Sequence, residues 1–194
     1  TAEHIIKDIQ TAKTKTDNPK ATKSKIVLVT DFIGANQMQW LFNKSDVYAS
    51  ATRGEGFGLT LFESVLNKIP VIAPRAGGHI DYLNEDSSYL VDGMYDCCIT
   101  NDPVYTQNSL WFETNISSLR KQLRNAYNDW KQNNLEQKGL AGYEHLQSLE
   151  HFKPKSVGKD IIDFLNVEKD RTINSKLAAI PQLSGKLEYL KDKH

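Results

Sequence analysis

Hydrophobic positions along this chain change period several times, and each change marks an element. Residues 4–15 set Ile5, Ile6 and Ile9 among charges at helical spacing and predict an amphipathic helix. Residues 14–25, TKTDNPKATKSK, are polar with Pro19 in their middle and read as a loop or a frayed helix end. KIVLVT, residues 25–30, is a continuous β-branched run and predicts a buried strand. ANQMQWLFNKS returns to helical spacing, with Met38, Leu41 and Phe42 on one side. Then follow a strand (DVYASAT), a glycine loop (residues 54–58), a helix (LTLFESVLNK) and a strand (IPVIAPR). GGHIDYLNE is a turn entering a short helix, and SYLV is another strand. Strands alternating with helices in this rhythm predict an α/β fold with a parallel sheet. Such strands are buried on both faces, which suits their unbroken apolar runs.

The rhythm stops after Val91. Residues 92–113, DGMYDCCITNDPVYTQNSLWFE, are expected to be irregular. ISSLRKQLRNAYNDWKQ then repeats Ile116, Leu119, Leu123, Ala126, Tyr127 and Trp130 at intervals of three and four, a clear amphipathic helix. Further helices are predicted around residues 135–149 and over SVGKDIIDFLN. Residues 167–194 are Lys-rich and end in SGKLEYLKDK, a helical pattern that reads first as a solvated face, with binding to an acidic surface as the alternative. The expected division is a Rossmann-like domain over residues 1–166 and a helical tail over 167–194.

Composition narrows the function classes. With 24 basic and 24 acidic residues, zero formal charge gives no electrostatic case for a nucleic-acid or anionic-membrane partner. No apolar run reaches the ~20 residues that span a bilayer. Cys97 and Cys98 are neighbours with no third cysteine, which favours a reducing, cytoplasmic compartment over a disulfide framework. Asn43 and Asn115 open sequons that read as chance matches.

The chemistry concentrates in ATRGEGFGLTLFES, residues 51–64. Ligands of parallel α/β sheets bind outside the carboxyl ends of the strands, where this loop lies. Gly56 and Gly58 let backbone approach a ligand, and the following helix N-terminus suits a phosphate. Glu55 and Glu63 are placed to accept hydrogen bonds from hydroxyls. A diphosphate flanked by hydroxyls, as in a nucleotide sugar, satisfies all of these. Structural readings stand beside these. The glycines also suit a tight turn, and Thr60 with Glu63 forms a capping box. Glu55 also suits a solvated loop acid, and Arg53 a surface side chain or a partner of Glu55. A dinucleotide fold would want Gly-x-Gly-x-x-Gly; here the spacing is one residue short, and Arg75 stands where an NADP-binding arginine would be sought. His145 and His151 have no zinc-ligand pattern around them. His79, just past Gly77, has the better claim on the cleft.

Residues 55–83, EGFGLTLFESVLNKIPVIAPRAGGHIDYL, resemble the C-terminal nucleotide-binding lobe of GT-B glycosyltransferases, in particular the retaining group called family 4 or group 1. That family carries Glu-x7-Glu, then Gly-x-Pro-Val-Ile-Ala and a Gly-Gly turn. Here these are Glu55 and Glu63, residues 70–73, and Gly77-Gly78. LFNKSDVYASATRGEGFGL upstream and WFETNISSLRKQLRNAY downstream resemble its flanking blocks, so the likeness runs roughly from residue 26 to 165.

The resemblance implies a Rossmann-like donor-binding lobe with named roles. Glu55 would be the catalytic-site acid beside the donor sugar. Gly56, Phe57, Gly58 and Leu59 would bring backbone to the sugar and diphosphate, Glu63 would hold the ribose hydroxyls, and the loop 31–33, with Ile33, would hold the base. It implies a nucleotide-diphospho-sugar substrate, no metal or other cofactor, and retaining transfer. It also implies an acceptor-binding N-terminal lobe and opening strands not found in this chain, which is therefore expected to be an incomplete piece, inactive alone, with an open sheet edge that invites self-association. Asp81 stands where the family often has Glu, so no contact is assigned to it. An oxidoreductase NAD(P) domain and a non-catalytic lobe remain the alternatives.

Overall fold

The computed structural model describes residues 2–14, 25–98 and 109–168. The polar stretch 15–24, Pro103 with its neighbours, and the tail from 169 lie outside the described residues. The chain divides into two compact units, Thr1–Asn43 and Lys44–His194.

The first unit holds α1 (Ala2–Thr14) and most of α2 (Ala35–Lys44). The expected strand at 25–30 is absent: these residues form no ladder, and Ile26, Val27, Leu28 and Val29 are exposed. β-branched residues favour a pleated, half-buried surface, and that preference is too small to hold a strand that has no neighbour.

The second unit contains a parallel sheet in the order β1-β2-β3: β1 (Tyr48–Ala49), β2 (Val71–Pro74) and β3 (Ser88–Val91). Tyr48 pairs with Val71, and β2 pairs with β3 from Val71↔Ser88 to Pro74↔Val91. β2 and β3 are wholly buried, as their unbroken apolar runs predict. Alternate side chains serve two cores. Val71, Ala73 and Leu90 pack with Leu61 and Val65 of α3 (Leu59–Leu66) and Leu146 of α5 (Leu135–Ser148). Ile72, Tyr89 and Val91 pack on the other side with Ala126 of α4 (Ile116–Lys131). The result is the layered architecture of a Rossmann-like lobe, helix–sheet–helix, with α6 (Pro154–Glu168) following. β1 pairs only with β2, so one of its edges is unpaired among the described residues.

The stretch after Val91 is more regular than its sequence suggests. β4 (Gly93–Cys97) and β5 (Leu110–Thr114) form an antiparallel ladder from Gly93↔Thr114 to Cys97↔Leu110. All five β4 residues are exposed, so β4 carries no buried apolar alternation for a sequence reading to detect. The ladder instead depends on Gly93, where a Cβ would stand 2.6 Å from the Phe112 ring and closer still to Glu113 O. Cys97 is exposed and Cys98 buried, both as free thiols. No helix among the described residues is long and apolar enough to cross a membrane.

Candidate functional site

Two loops meet at the carboxyl ends of β1 and β2. The first, residues 50–58, joins β1 to α3. The second, residues 75–82, leaves β2 and contains the 3₁₀ turn Gly78–Asp81. Gly78 N–H donates to Glu55 O at 3.0 Å. The two backbones touch so closely that a Cβ on Gly78 would sit 2.8 Å from the Gly56 carbonyl carbon and closer to its oxygen. The paired glycines are needed for this contact and for the positive φ of Gly77, 111°.

Within the first loop, Glu55 folds back on its own chain. Its Oε1 accepts the Gly58 N–H at 3.0 Å. Gly58 takes the left-handed conformation (φ 81°, ψ 61°) and serves as N-cap of α3. The predicted Thr60–Glu63 capping box does not form. Thr60 is already the second helical residue, and its Oγ1 lies 2.9 Å from the Tyr48 hydroxyl. The reason is that Glu55 and the left-handed Gly58 start the helix earlier than the sequence pattern suggests.

The loop's carbonyls are tied inward. The Tyr82 hydroxyl lies 2.8 Å from Phe57 O and 2.9 Å from Gly58 O, and Phe62 N–H also donates to Gly58 O. Tyr82 is fully buried. Burial first, and the Glu55 charge second, hold its phenol above the ordinary value, so it stays protonated and donates. The Phe57 ring is fixed by Phe62, Tyr82 and Phe152, with centroids 5.1, 5.4 and 5.9 Å away. The backbone N–H groups of Leu59, Thr60 and Leu61, which open α3, have no partner among the described residues.

The acids divide the work. Glu55 is half-buried with Oε2 unpartnered among the described residues. Glu63 is exposed, one turn beyond Leu59 on the same helix face, and its carboxylate has no hydrogen-bond partner among those residues. Gly56, Phe57, Gly58 and Leu59 thus lie together with Glu55, but the Gly58 N–H is spent on Glu55. Ile33 lies in the first unit and is half-buried.

Three other residues from the sequence reading have structural duties. His79 is fully buried, and its Nε2–H donates to Pro74 O at 2.7 Å. It braces the second loop against β2 and has no access to a cleft. Arg53 does not pair with Glu55. It makes a two-pronged bridge to Glu113 of β5 (2.8 and 3.1 Å), which holds the guanidinium above its already high value, and it lies 4.7 Å over the Trp111 ring. Arg53 O also accepts Phe112 N–H, so the hairpin grips the loop through side chain and backbone. Arg75 pairs with Glu85 and with Asp92 Oδ1 (3.0 Å), so a 2′-phosphate would have to displace two carboxylates. Sequence reasoning missed Tyr82 and Glu113. Tyr82 is one aromatic beyond a turn, and Glu113 is sixty residues from its partner, so neither has a local signal.

A nearby hollow of about 370 Å³ between β1 and α4, lined by Val47, Ala49, Ile72, Leu123, Tyr127 and Trp130, shares no residue with the loops. Among the described residues no three His, Cys, Asp or Glu side chains are grouped to hold a metal.

A parallel three-stranded sheet flanked by helices, with a glycine loop and a helix N-terminus at its carboxyl end, is the architecture of a Rossmann-like lobe of the GT-B kind. Residues 8–99, just under half of the chain, match the family model of the glycosyl transferases group 1, so this segment is similar to part of a GT-B lobe of group 1 type. The chemistry of that family is glycosyl transfer. No curated protein matches the chain.

Proposed function

We propose that this lobe binds the nucleotide-diphospho-sugar donor of a retaining, metal-independent glycosyltransferase. The observation that carries the reading is the state of the two acids within the matched segment. Glu55 closes the glycine loop with one oxygen and keeps the other for a sugar hydroxyl. Glu63 stands exposed and unpartnered on the same side of α3 as the open amides. Those amides and the helix dipole would receive the diphosphate, whose charge grows as the bond to the anomeric carbon breaks. The acceptor would be bound by a second lobe. The paired state of Arg75 weighs against its holding the 2′-phosphate of NADP.

Calorimetric titration with UDP, GDP and ADP tests the reading. One of them is expected to bind, and Glu63→Ala is expected to lose about 1–3 kcal/mol of that affinity, the value of a hydrogen bond to a charged group. The melting temperature should not change, because the carboxylate supports nothing in the fold. Preferential binding of NADP, or no loss in the variant, overturns the assignment.

A further inference from the structure

We propose that Tyr82 is a positioning residue that turns the glycine-loop amides toward the phosphates, a role that rests on the donor-binding reading above. The inference comes from peptide geometry. The C=O and N–H of one planar peptide point in opposite directions. In the Phe57–Gly58 peptide both ends are held: the carbonyl by the Tyr82 hydroxyl, the N–H by Glu55 Oε1. In the Gly58–Leu59 peptide the carbonyl faces Tyr82 and the Phe62 N–H, so the Leu59 N–H points the other way, off the end of α3. Leu59 is 69% exposed, and its N–H has no partner among the described residues.

Glycine alone does not fix this arrangement. A residue without Cβ accepts either orientation of its flanking peptides. With the phenol gone, the Phe57 and Gly58 carbonyls lose a buried donor, and a flipped peptide would present an oxygen where a phosphoryl oxygen has to sit. The penalty falls on the anionic part of the ligand and spares the base. Replacement by phenylalanine isolates the hydroxyl, because the ring contacts with Phe57, Phe62 and Phe152 remain. A control exists in the same unit. Tyr89 is buried and donates to Asp129 Oδ2 at 2.6 Å, with no contact to either loop.

The experiment compares the parent chain, Tyr82→Phe and Tyr89→Phe. Each is titrated with the preferred nucleoside diphosphate by calorimetry and with its bare nucleoside by amide NMR, and each is melted. Tyr82→Phe should bind the diphosphate about tenfold more weakly with nucleoside affinity unchanged. Tyr89→Phe should melt lower and keep the parent's diphosphate-to-nucleoside ratio. An unchanged ratio in Tyr82→Phe, or an equal fall in Tyr89→Phe, removes the role of Tyr82 and leaves the donor-binding reading intact. A parent chain that binds no nucleotide overturns both.

Discussion

Gly78→Ala should cost the lobe its ligand and part of its stability together. The added methyl would meet the Gly56 carbonyl at well under contact distance, and both partners are backbone. A flexible side chain could swing away; a carbonyl held between Glu55 and Phe57 cannot move alone. The loops must separate, which breaks the Gly78 N–H bond to Glu55 O and shifts the segment carrying Gly56 to Leu59. Overpacking of this kind costs about 1–3 kcal/mol. In a chain of this size that lowers the melting temperature by roughly 3–10 °C. Losing one hydrogen bond to a charged phosphate is worth about 1.5–3 kcal/mol, so nucleotide affinity should fall about ten- to a hundredfold. Gly78 has no positive φ, so backbone strain does not confuse the result. Wild-type affinity in a folded Gly78→Ala chain would show that the glycine loop is not where the nucleotide binds.

The second large effect is purely structural. Gly139 lies inside α5, where alanine normally stabilises a helix by about 1 kcal/mol. Here a Cβ would stand 2.7 Å from the Lys68 carbonyl carbon, closer still to its oxygen, and 3.2 Å from the Pro70 ring. Lys68 already holds φ at 59°, so the turn has little room to yield. The clash should outweigh the propensity gain and leave Gly139→Ala about 2 kcal/mol less stable by urea unfolding. Gly158→Ala in α6 is the matched control. Nothing lies within 4 Å of that position, so the usual gain of about 1 kcal/mol should appear undiminished. If both variants gain stability, α5 does not pack against the Lys68 turn as described.

Much of the fold was legible in the sequence because its signals are periodic. α4 follows from apolar repeats at three and four, and β2 and β3 from unbroken apolar runs buried on both faces. The misreadings have physical causes. The run at 25–30 has strand composition but no neighbour to pair with. β4 has a neighbour but no apolar pattern, so ladder hydrogen bonds and a bare Gly93 hold what composition does not announce. At the site, the glycines and the acid pair were visible because their chemistry is local. The partners that give them their geometry were not. Tyr82 reaches the loop across twenty-four residues and Glu113 reaches Arg53 across sixty. His79 had a better claim on the cleft than His145 or His151 from its place just past Gly77, whereas its ring is buried and its Nε2–H is held by Pro74 O.

The stapling of one loop by the other also bears on how the lobe breathes. β1 contributes only two paired residues, a weak anchor for the loop that follows it. The order of that loop comes instead from Gly78, Tyr82 and the hairpin contact at Arg53. Residues 53–58 and 77–82 should therefore open as one cooperative unit in amide hydrogen exchange, with matched protection, while the termini of β1 exchange sooner. On the donor-binding proposal, the loops that meet the ligand then have a local unfolding free energy of their own, set by a few hydrogen bonds between loops rather than by the sheet beneath them.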